Sequence, residues 1–346
     1  AIHQVDDSPE TLASASRRSF VVGTGAAALS TFFIRKANAG DAEITLKVAT
    51  VAPAGTPWSA HMKRLKKRVK TDTAGRVAIK AKLGGALGDE ISTASMCKKG
   101  VRCQMWAGTT GALASLVPEL AVFELPYLFP KLGDADEILD VHLRADIERL
   151  LDKAGLKLVF FSENGERSCG STWGAIRAPS DLKGKKMRSQ QGDIYLNTWR
   201  AMGASPVPMA VTEALHALQS GVVDGFDNTP LFTFAASWFQ SISHFSLTRH
   251  SYQPGIVIMS KSVWKELPKD VQEIIMGDPQ AESNWGRKKV RALNPQLIAN
   301  FGNANIAVHK LSDAERAVFK RMTLPTHKKF AAKYGGAMLG KIKKHL

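Results

Sequence analysis

The side chains of this 346-residue sequence best suited to chemistry are cations and amides rather than nucleophiles. An arginine presents a planar fork of donors that matches a carboxylate, so it supplies two charge-assisted bonds and a direction as well as a charge. Arg188 ends the basic run Lys183-Gly184-Lys185-Lys186-Met187-Arg188, and Arg167 stands in Asn164-Gly165-Glu166-Arg167. On residue type alone Arg188 reads as a solvated surface side chain, because arginine is seldom buried. Asn228, in Asp227-Asn228-Thr229-Pro230, carries an amide that both donates and accepts, and it equally suits a turn or a helix cap. Covalent and metal chemistry have no comparable basis. There is no Gly-x-Ser-x-Gly, His-Glu-x-x-His or Cys-x-x-Cys pattern, and the nine histidines are dispersed without ligand spacing. Neither a metal nor another cofactor is expected, and the chain is not expected to be an enzyme.

The elements that must position these groups follow from local sequence. Asp181-Leu182-Lys183-Gly184 is turn chemistry leading into a short strand that carries Arg188. Met202-Gly203-Ala204-Ser205-Pro206-Val207-Pro208-Met209 is a helix end followed by an extended run, and its prolines bar it from being a central strand. Val211 to Gly221 predicts a short helix closed by glycine, and Val222-Val223-Asp224-Gly225 returns the chain to a strand or turn ahead of Asn228. Elsewhere, alternation at Ile44, Leu46 and Val48 predicts a half-buried strand. Pro57 to Thr71 is an amphipathic helix, Val77 to Lys82 a strand, and Asp89 to Lys99 a helix stopped by Gly100. Ala135 to Lys153 reads as helix, Leu156 to Phe161 and Ile256 to Met259 as strands, and Asn305 to His309 as a short late strand. Val271 to Ala304 reads as helix with breaks at Gly277-Asp278-Pro279 and Pro295. There is no internal repeat or low-complexity linker, and the alternation of strands and helices makes the class α/β.

The segment Asp181 to Pro230 resembles the extracytoplasmic solute receptors of TRAP transporters (tripartite ATP-independent periplasmic transporters), of the dicarboxylate-receptor type. Four blocks carry the likeness in order: Asp181-Leu182-Lys183-Gly184 with Arg188; Gly203-Ala204 with Pro206, Pro208 and Met209; Glu213 with Ala217-Leu218-Gln219 and Gly221; and Val223-Asp224-Gly225 with Asn228. It extends over nearly the whole chain after residue 43, through Leu46 to Pro53, Gly84-Gly85-Ala86-Leu87-Gly88-Asp89-Glu90, Pro118 to Phe129 and Phe330 to Gly335. The resemblance implies a two-lobed periplasmic-binding-protein-like fold, with mixed sheets flanked by helices and a ligand cleft between the lobes. The boundaries expected are 44–164 plus 254–293 for one lobe and 165–253 plus 294–346 for the other.

The resemblance also assigns roles. Arg188 matches the arginine that holds a solute carboxylate, and Asn228 the asparagine beside it. Arg167 corresponds to a second arginine that either contacts the ligand or forms a salt bridge between lobes. Trp106, Thr109 and Thr110 align with a solute-facing loop. Phe226, where relatives commonly carry glutamine, and Trp173, in the run Cys169-Gly170-Ser171-Thr172-Trp173, depart from the usual pattern. These departures leave room for an organic acid with an apolar part rather than a plain C4-dicarboxylate. The partners implied are a small organic acid anion and the TRAP membrane permease subunits; an exported α/β enzyme, or a receptor feeding a signalling partner, is the alternative. A monomer is expected.

The amino terminus suggests export. Ser16-Arg17-Arg18-Ser19-Phe20-Val21-Val22 resembles a twin-arginine signal, and the apolar run from Ser19 to Ile34 is short and rich in small residues for a membrane span. Ala37-Asn38-Ala39 offers a cleavage site, so residues 1–39 are expected to be a signal peptide and the rest periplasmic. The rival reading of Gly23-Thr24-Gly25-Ala26-Ala27-Ala28 as a dinucleotide turn lacks a proper preceding strand. Net charge is +16; removal of residues 1–39, with four Lys/Arg against three Asp/Glu, leaves +15. The excess is spread along the chain with no nucleic-acid-binding module, so no nucleic acid partner is expected. Its effect is a long-range pull on anionic solutes or surfaces. Cys97, Cys103 and Cys169 are too few for a disulfide framework. Cys97 and Cys103 either bridge or lie as buried thiols.

Overall fold

The computed structural model describes residues 42–346, and the amino-terminal segment assigned above to export lies outside them. Nine strands form one mixed sheet. They are β1 (Ile44–Ala49), β2 (Val77–Lys82), β3 (Met105–Thr109), β4 (Leu156–Ser171), β5 (Lys186–Ser189), β6 (Ser205–Pro208), β7 (Gly225–Asn228), β8 (His244–Ser260) and β9 (Ala307–Lys310). The order is β2-β1-β3-β8-β4-β7-β5-β6, with β9 on β8.

The long antiparallel pair β4–β8 is the spine. Its Leu156–Phe161 end pairs with Ile256–Ser260 and carries β3, β1 and β2. Its other end carries β7, β5, β6 and β9. Residues 164/165 and 253/254, the crossing points expected from the sequence, face each other in mid-ribbon, at the register shift between Glu163 and Gly165.

Alternation along the strands divides the core. Trp106, Leu158, Phe161, Ile256 and Ile258 pack on one face of the first half, with Leu113, Phe123 and Ile147. Met105, Ala107, Phe160, Val257 and Met259 pack on the other, under Trp58, Met62, Leu65 and Val69 of the helix Pro57–Asp72. That helix starts at Thr56, whose hydroxyl accepts from Ser59 N at 3.2 Å, satisfying one of the open donors of the first turn. The second half has its own clusters around Phe226, Trp238, Phe245 and Phe301, and around Leu182, Met187, Trp199 and Phe319. The carboxyl-terminal segment straddles the molecule. Phe301 and Ile306 join the second half, whereas Phe330, Leu339 and Ile342 pack into the first. The expected assignment of all of 294–346 to one lobe therefore does not describe the packing of these last helices.

Several expected elements differ in extent. Ala135 to Lys153 is not one helix: Leu132–Glu137 passes into a π-helical turn, Ile138–His142, before the helix Arg144–Lys153. Pro295 lies inside an unbroken helix, Pro279–Asn303; the break falls only at Gly277-Asp278. The helix expected over Val211 to Gly221 begins at Ala214 and ends at Gln219. No helix among the described residues is long and apolar enough to cross a membrane.

Candidate functional site

Parallel strands β1, β3, β5 and β7 end at the same cleft, the position where open α/β sheets leave room for a ligand. Beyond β1 the cleft is lined by Thr50, Val51 and Ala52, at the end of β3 by Gly108 and Thr109, and at the ends of β5 and β7 by Arg188, Gln190 and Asn228. Asn164, Arg167 and Gln253 rise from the middle of the β4–β8 ribbon as its floor. Trp58, Val211 and Phe232 supply apolar wall, and Glu90 opens the helix Glu90–Lys98 into it. Counting the part open to solvent, the space at these groups is about 450 Å³.

Arg188 is brought here because β5 is held on both sides, by β6 and β7. Its side chain is buried, with 1 % exposed, yet only Nη2 has a protein acceptor, the Met209 carbonyl at 3.1 Å. Nε and Nη1 are buried with no partner. The guanidinium carbon sits 5.3 Å from the centre of the Trp238 ring, whose π face offers partial compensation. Burial, reinforced by the charge of Arg167, lowers its pKa to about 10. A buried cation with two unpaired donors is costly, and an anion entering the cleft removes that cost.

Arg167 is in the opposite state. Its Nε donates to Asp227 Oδ2 and its Nη2 to the Asp227 carbonyl, each at 2.6 Å, and its Nη1 donates to Gln253 Oε1 at 3.0 Å. Burial opposes the charge on Asp227, but Arg167 and the hydrogen bond from His250 hold its carboxyl well below the usual carboxylate range. Arg167 touches the cleft with its charge already met, by an aspartate two positions along the adjacent β7 from Gly225.

Asn228 lines the cleft, and its carboxamide oxygen accepts from Thr229 N at 2.8 Å. Thr229 in turn caps the helix Pro230–Ala235, so the amide orientation is fixed by a cap-like bond while the residue faces the cavity. Thr109 lines the cleft and binds Glu90, with its N–H 2.9 Å from Oε1. Thr110 lies one layer behind, 3.2 Å from Glu124 Oε1.

Besides Thr110, three residues expected at the site are elsewhere. Trp106 packs into the core with its indole donating to Thr93 Oγ1 at 3.1 Å, further back along β3 than the cleft-lining Gly108 and Thr109. Phe226 is fully buried against Gly170 and makes an edge contact with Trp238 at 4.9 Å, forming a support beneath Arg188 rather than a wall of the cavity. Trp173 packs beside the Leu182 cluster with Lys185 Nζ 4.7 Å from its ring centre.

Glu90, Gln190, Gln253, Asn164 and Trp58 were not assigned roles from sequence. Glu90 had a signal in hand: it closes the Gly84–Glu90 block, and Gly108 has no Cβ because one would overlap both the Trp106 ring and Glu90 Oε1. Burial raises Glu90 to about 7, against the Thr109 hydrogen bond and with help from the charge of Glu124; Arg188 pulls the other way. Gln253 had no signal, as its meaning depends on partners far in sequence. It donates to Glu124 Oε2 and Gln190 Oε1, both at 2.9 Å, and accepts from Asn164 at 2.8 Å.

The site thus offers one under-satisfied cation, several fixed amides, a carboxyl group that titrates near neutrality and a partly apolar wall. Among the described residues, no group of three His, Cys, Asp or Glu side chains can hold a metal ion. All three cysteines are buried and free.

A model of the family described as bacterial extracellular solute-binding protein, family 7, matches residues 48–334. The 2,3-diketo-L-gulonate-binding periplasmic protein of Escherichia coli (strain K12) is 26 % identical over 71 % of this chain and 74 % of its own length. A TRAP periplasmic solute-binding protein from Citrobacter koseri, solved with bound D-glucuronate, is 27 % identical, covering 86 % of this chain and 98 % of that one, with a TM-score of 0.80. Another from Ralstonia eutropha H16, solved with (S)-2-acetolactate, is 27 % identical, covering 87 % and 98 %, with a TM-score of 0.81.

Proposed function

Because the chain belongs to the bacterial extracellular solute-binding proteins of family 7, we propose that it is the receptor of a TRAP-type secondary transporter, capturing an organic acid anion by pairing its carboxylate with Arg188. The reading rests above all on the two buried, unpartnered donors of Arg188 at the cleft. A carboxylate placed there completes the fork, turning a destabilising buried charge into a bidentate pair. Asn228, beside it at the end of β7, supplies a second polar contact.

The rest of the cavity favours a hydroxy or keto acid over a simple diacid. Thr109, Gln190 and Asn164 can bond hydroxyl and carbonyl oxygens, and Trp58, Val211 and Phe232 accept a carbon skeleton. Glu90 accepts hydroxyl donors when ionised and repels a second carboxylate. Sugar acids and branched hydroxy-keto acids, of the kind bound by the two relatives solved with ligand, share this chemistry. Binding draws the two halves together about the centre of the β4–β8 ribbon, and the closed form then delivers the acid to the membrane permease subunits of the transporter, from the outer side of the cytoplasmic membrane.

The test is a thermal-shift survey of uronates, aldonates, hydroxy-keto acids and C4-dicarboxylates. Ligand that binds only the folded state raises the midpoint by mass action, and hydroxylated or keto monoacids are expected to give the largest shifts. A flat response across the whole panel would remove organic acid binding as the function.

A further inference from the structure

A charged surface that contributes no residue to the lining of the cleft has no part in holding a solute. Residues 313–346 carry nine Lys/Arg against two Asp/Glu, a net +7 in a chain whose total is +16. They form two helices, Asp313–Tyr334 and Ala337–Lys344. The first buries Phe319, Thr323, Thr326, His327 and Phe330. Helical periodicity therefore turns Arg321, Leu324, Pro325 and Lys328 outward, and all four are exposed.

Two features set this surface apart from other basic stretches. Lys320, Arg321, Lys328, Lys329, Lys343 and Lys344 have no ion-pair partner among the described residues, whereas Lys333 and Lys341 are tied to Asp193 and Asp146. Large apolar side chains stand among them, with Leu324 49 % and Met322 39 % exposed. The basic helix Pro57–Asp72 lacks that combination. Its Met62, Leu65 and Val69 are buried, and its Arg64 and Arg68 are engaged by Glu282. Phe330 of the first helix and Leu339 and Ile342 of the second are buried in one cluster, so the two terminal helices share one neighbourhood.

We propose that the outer face of these two helices docks on an anionic phospholipid surface. Unpaired cations interleaved with a protruding leucine and methionine are the chemistry that such a surface recognises, each basic residue near it contributing on the order of fivefold in partition. Docking keeps the receptor close to the bilayer and confines its search for a membrane partner to two dimensions. The cleft plays no part in this contact.

Co-sedimentation of the full chain with phosphatidylcholine vesicles, and with vesicles containing phosphatidylglycerol, tests it. Binding is expected only to the anionic vesicles, with release at high salt as the surface charge is screened. Replacing Arg321, Lys328, Lys329, Lys343 and Lys344 by Gln is expected to reduce partition at least tenfold. A control lacking the exposed Lys63, Lys66, Lys67 and Lys70 keeps most of it, which separates this face from mere net charge. Leu324→Gln, which changes no charge and is exposed, is expected to weaken binding severalfold. Equal partition of the two multi-site variants, or binding to neutral vesicles unaffected by salt, would overturn the proposal. So would retention on a polyglutamate resin without vesicle binding, which would assign the face to an acidic protein instead.

Discussion

Arg167 and Arg188 point their guanidinium groups at one cleft in opposite electrostatic states: Arg167 is neutralised by Asp227 at 2.6 Å, while Arg188 has no acidic partner among the described residues and two bare donors. On the proposed function, this difference lets one site hold two arginines and recruit one anion. Arg167 is the fixed neighbour whose charge, after burial, depresses the pKa of Arg188, and Arg188 is the group left without a counter-ion.

This difference makes one substitution act with opposite signs. Arg188→Met removes a buried charge that the ligand-free protein does not satisfy, so chemical denaturation is expected to show unchanged or higher stability, with binding lost. Arg167→Met leaves Asp227 buried beside only His250 and is expected to cost about 3–5 kcal/mol. Equal destabilisation by the two would mean that the arginines are not distinguished in this way.

Much of this was legible in the sequence, because Arg188 and Asn228 sit in short elements bounded by turn residues and prolines. β6, with Pro206 and Pro208, is an edge strand as its prolines require. The long spine was not legible. Glu163-Asn164-Gly165-Glu166-Arg167-Ser168 breaks the alternation that announces a strand, yet β4 runs straight through it, with register shifts and with each charge met from afar. Glu163 is paired with Arg291 at 2.6 Å and Tyr252 at 3.0 Å. The expectation that Trp106 faces the solute failed on depth along β3: Gly108 and Thr109, at the end of the strand, line the cleft, while Trp106 lies further back in the core.

Glu90 gives the site a pH dependence. Its folded pKa of about 7 lies above the ordinary carboxylate value, so the folded state holds its proton more tightly than the unfolded state does. The resulting stability is fully present below the unfolded pKa and is lost as pH rises towards and through 7. Glu90→Gln is expected to flatten that decline, most visibly between pH 5 and 8 in melting temperature. A diacid should also bind wild type better at pH 5.5 than at pH 8, a preference that Glu90→Gln abolishes.

Tyr195 reaches across from the helix Asp193–Ala201 to donate to Glu124 Oε2 at 2.7 Å. It fits only because residue 111 is glycine; a Cβ there would overlap the Tyr195 hydroxyl. Gly111→Ala is expected to expel Tyr195, leave Glu124 short of a donor at a cost of about 1–3 kcal/mol, and enlarge the ligand-free radius of gyration in X-ray scattering. An unchanged radius and melting temperature would show that this contact does not bridge the two halves.

The thiols are expected to be inert. Burial pushes Cys103 up to about 11 and Cys97 well above the ordinary thiol value, and the thiolate is the reactive form. Titration with a chromogenic disulfide reagent should release no colour from the native protein and three equivalents after denaturation, with a melting temperature indifferent to reductant. Fewer than three equivalents without reductant would reveal a bridge.

The central claim is that Arg188 holds the carboxylate of an organic acid. Titration calorimetry of the best ligand from the thermal survey against wild type, Arg188→Lys and Arg188→Ala tests it most directly. Losing one side of a buried charge pair costs about 2–5 kcal/mol, so Arg188→Ala is expected to weaken affinity by roughly 30-fold or more. Arg188→Lys, which keeps the charge and loses the fork, should fall in between. Wild-type affinity retained in a folded Arg188→Ala protein would contradict the account.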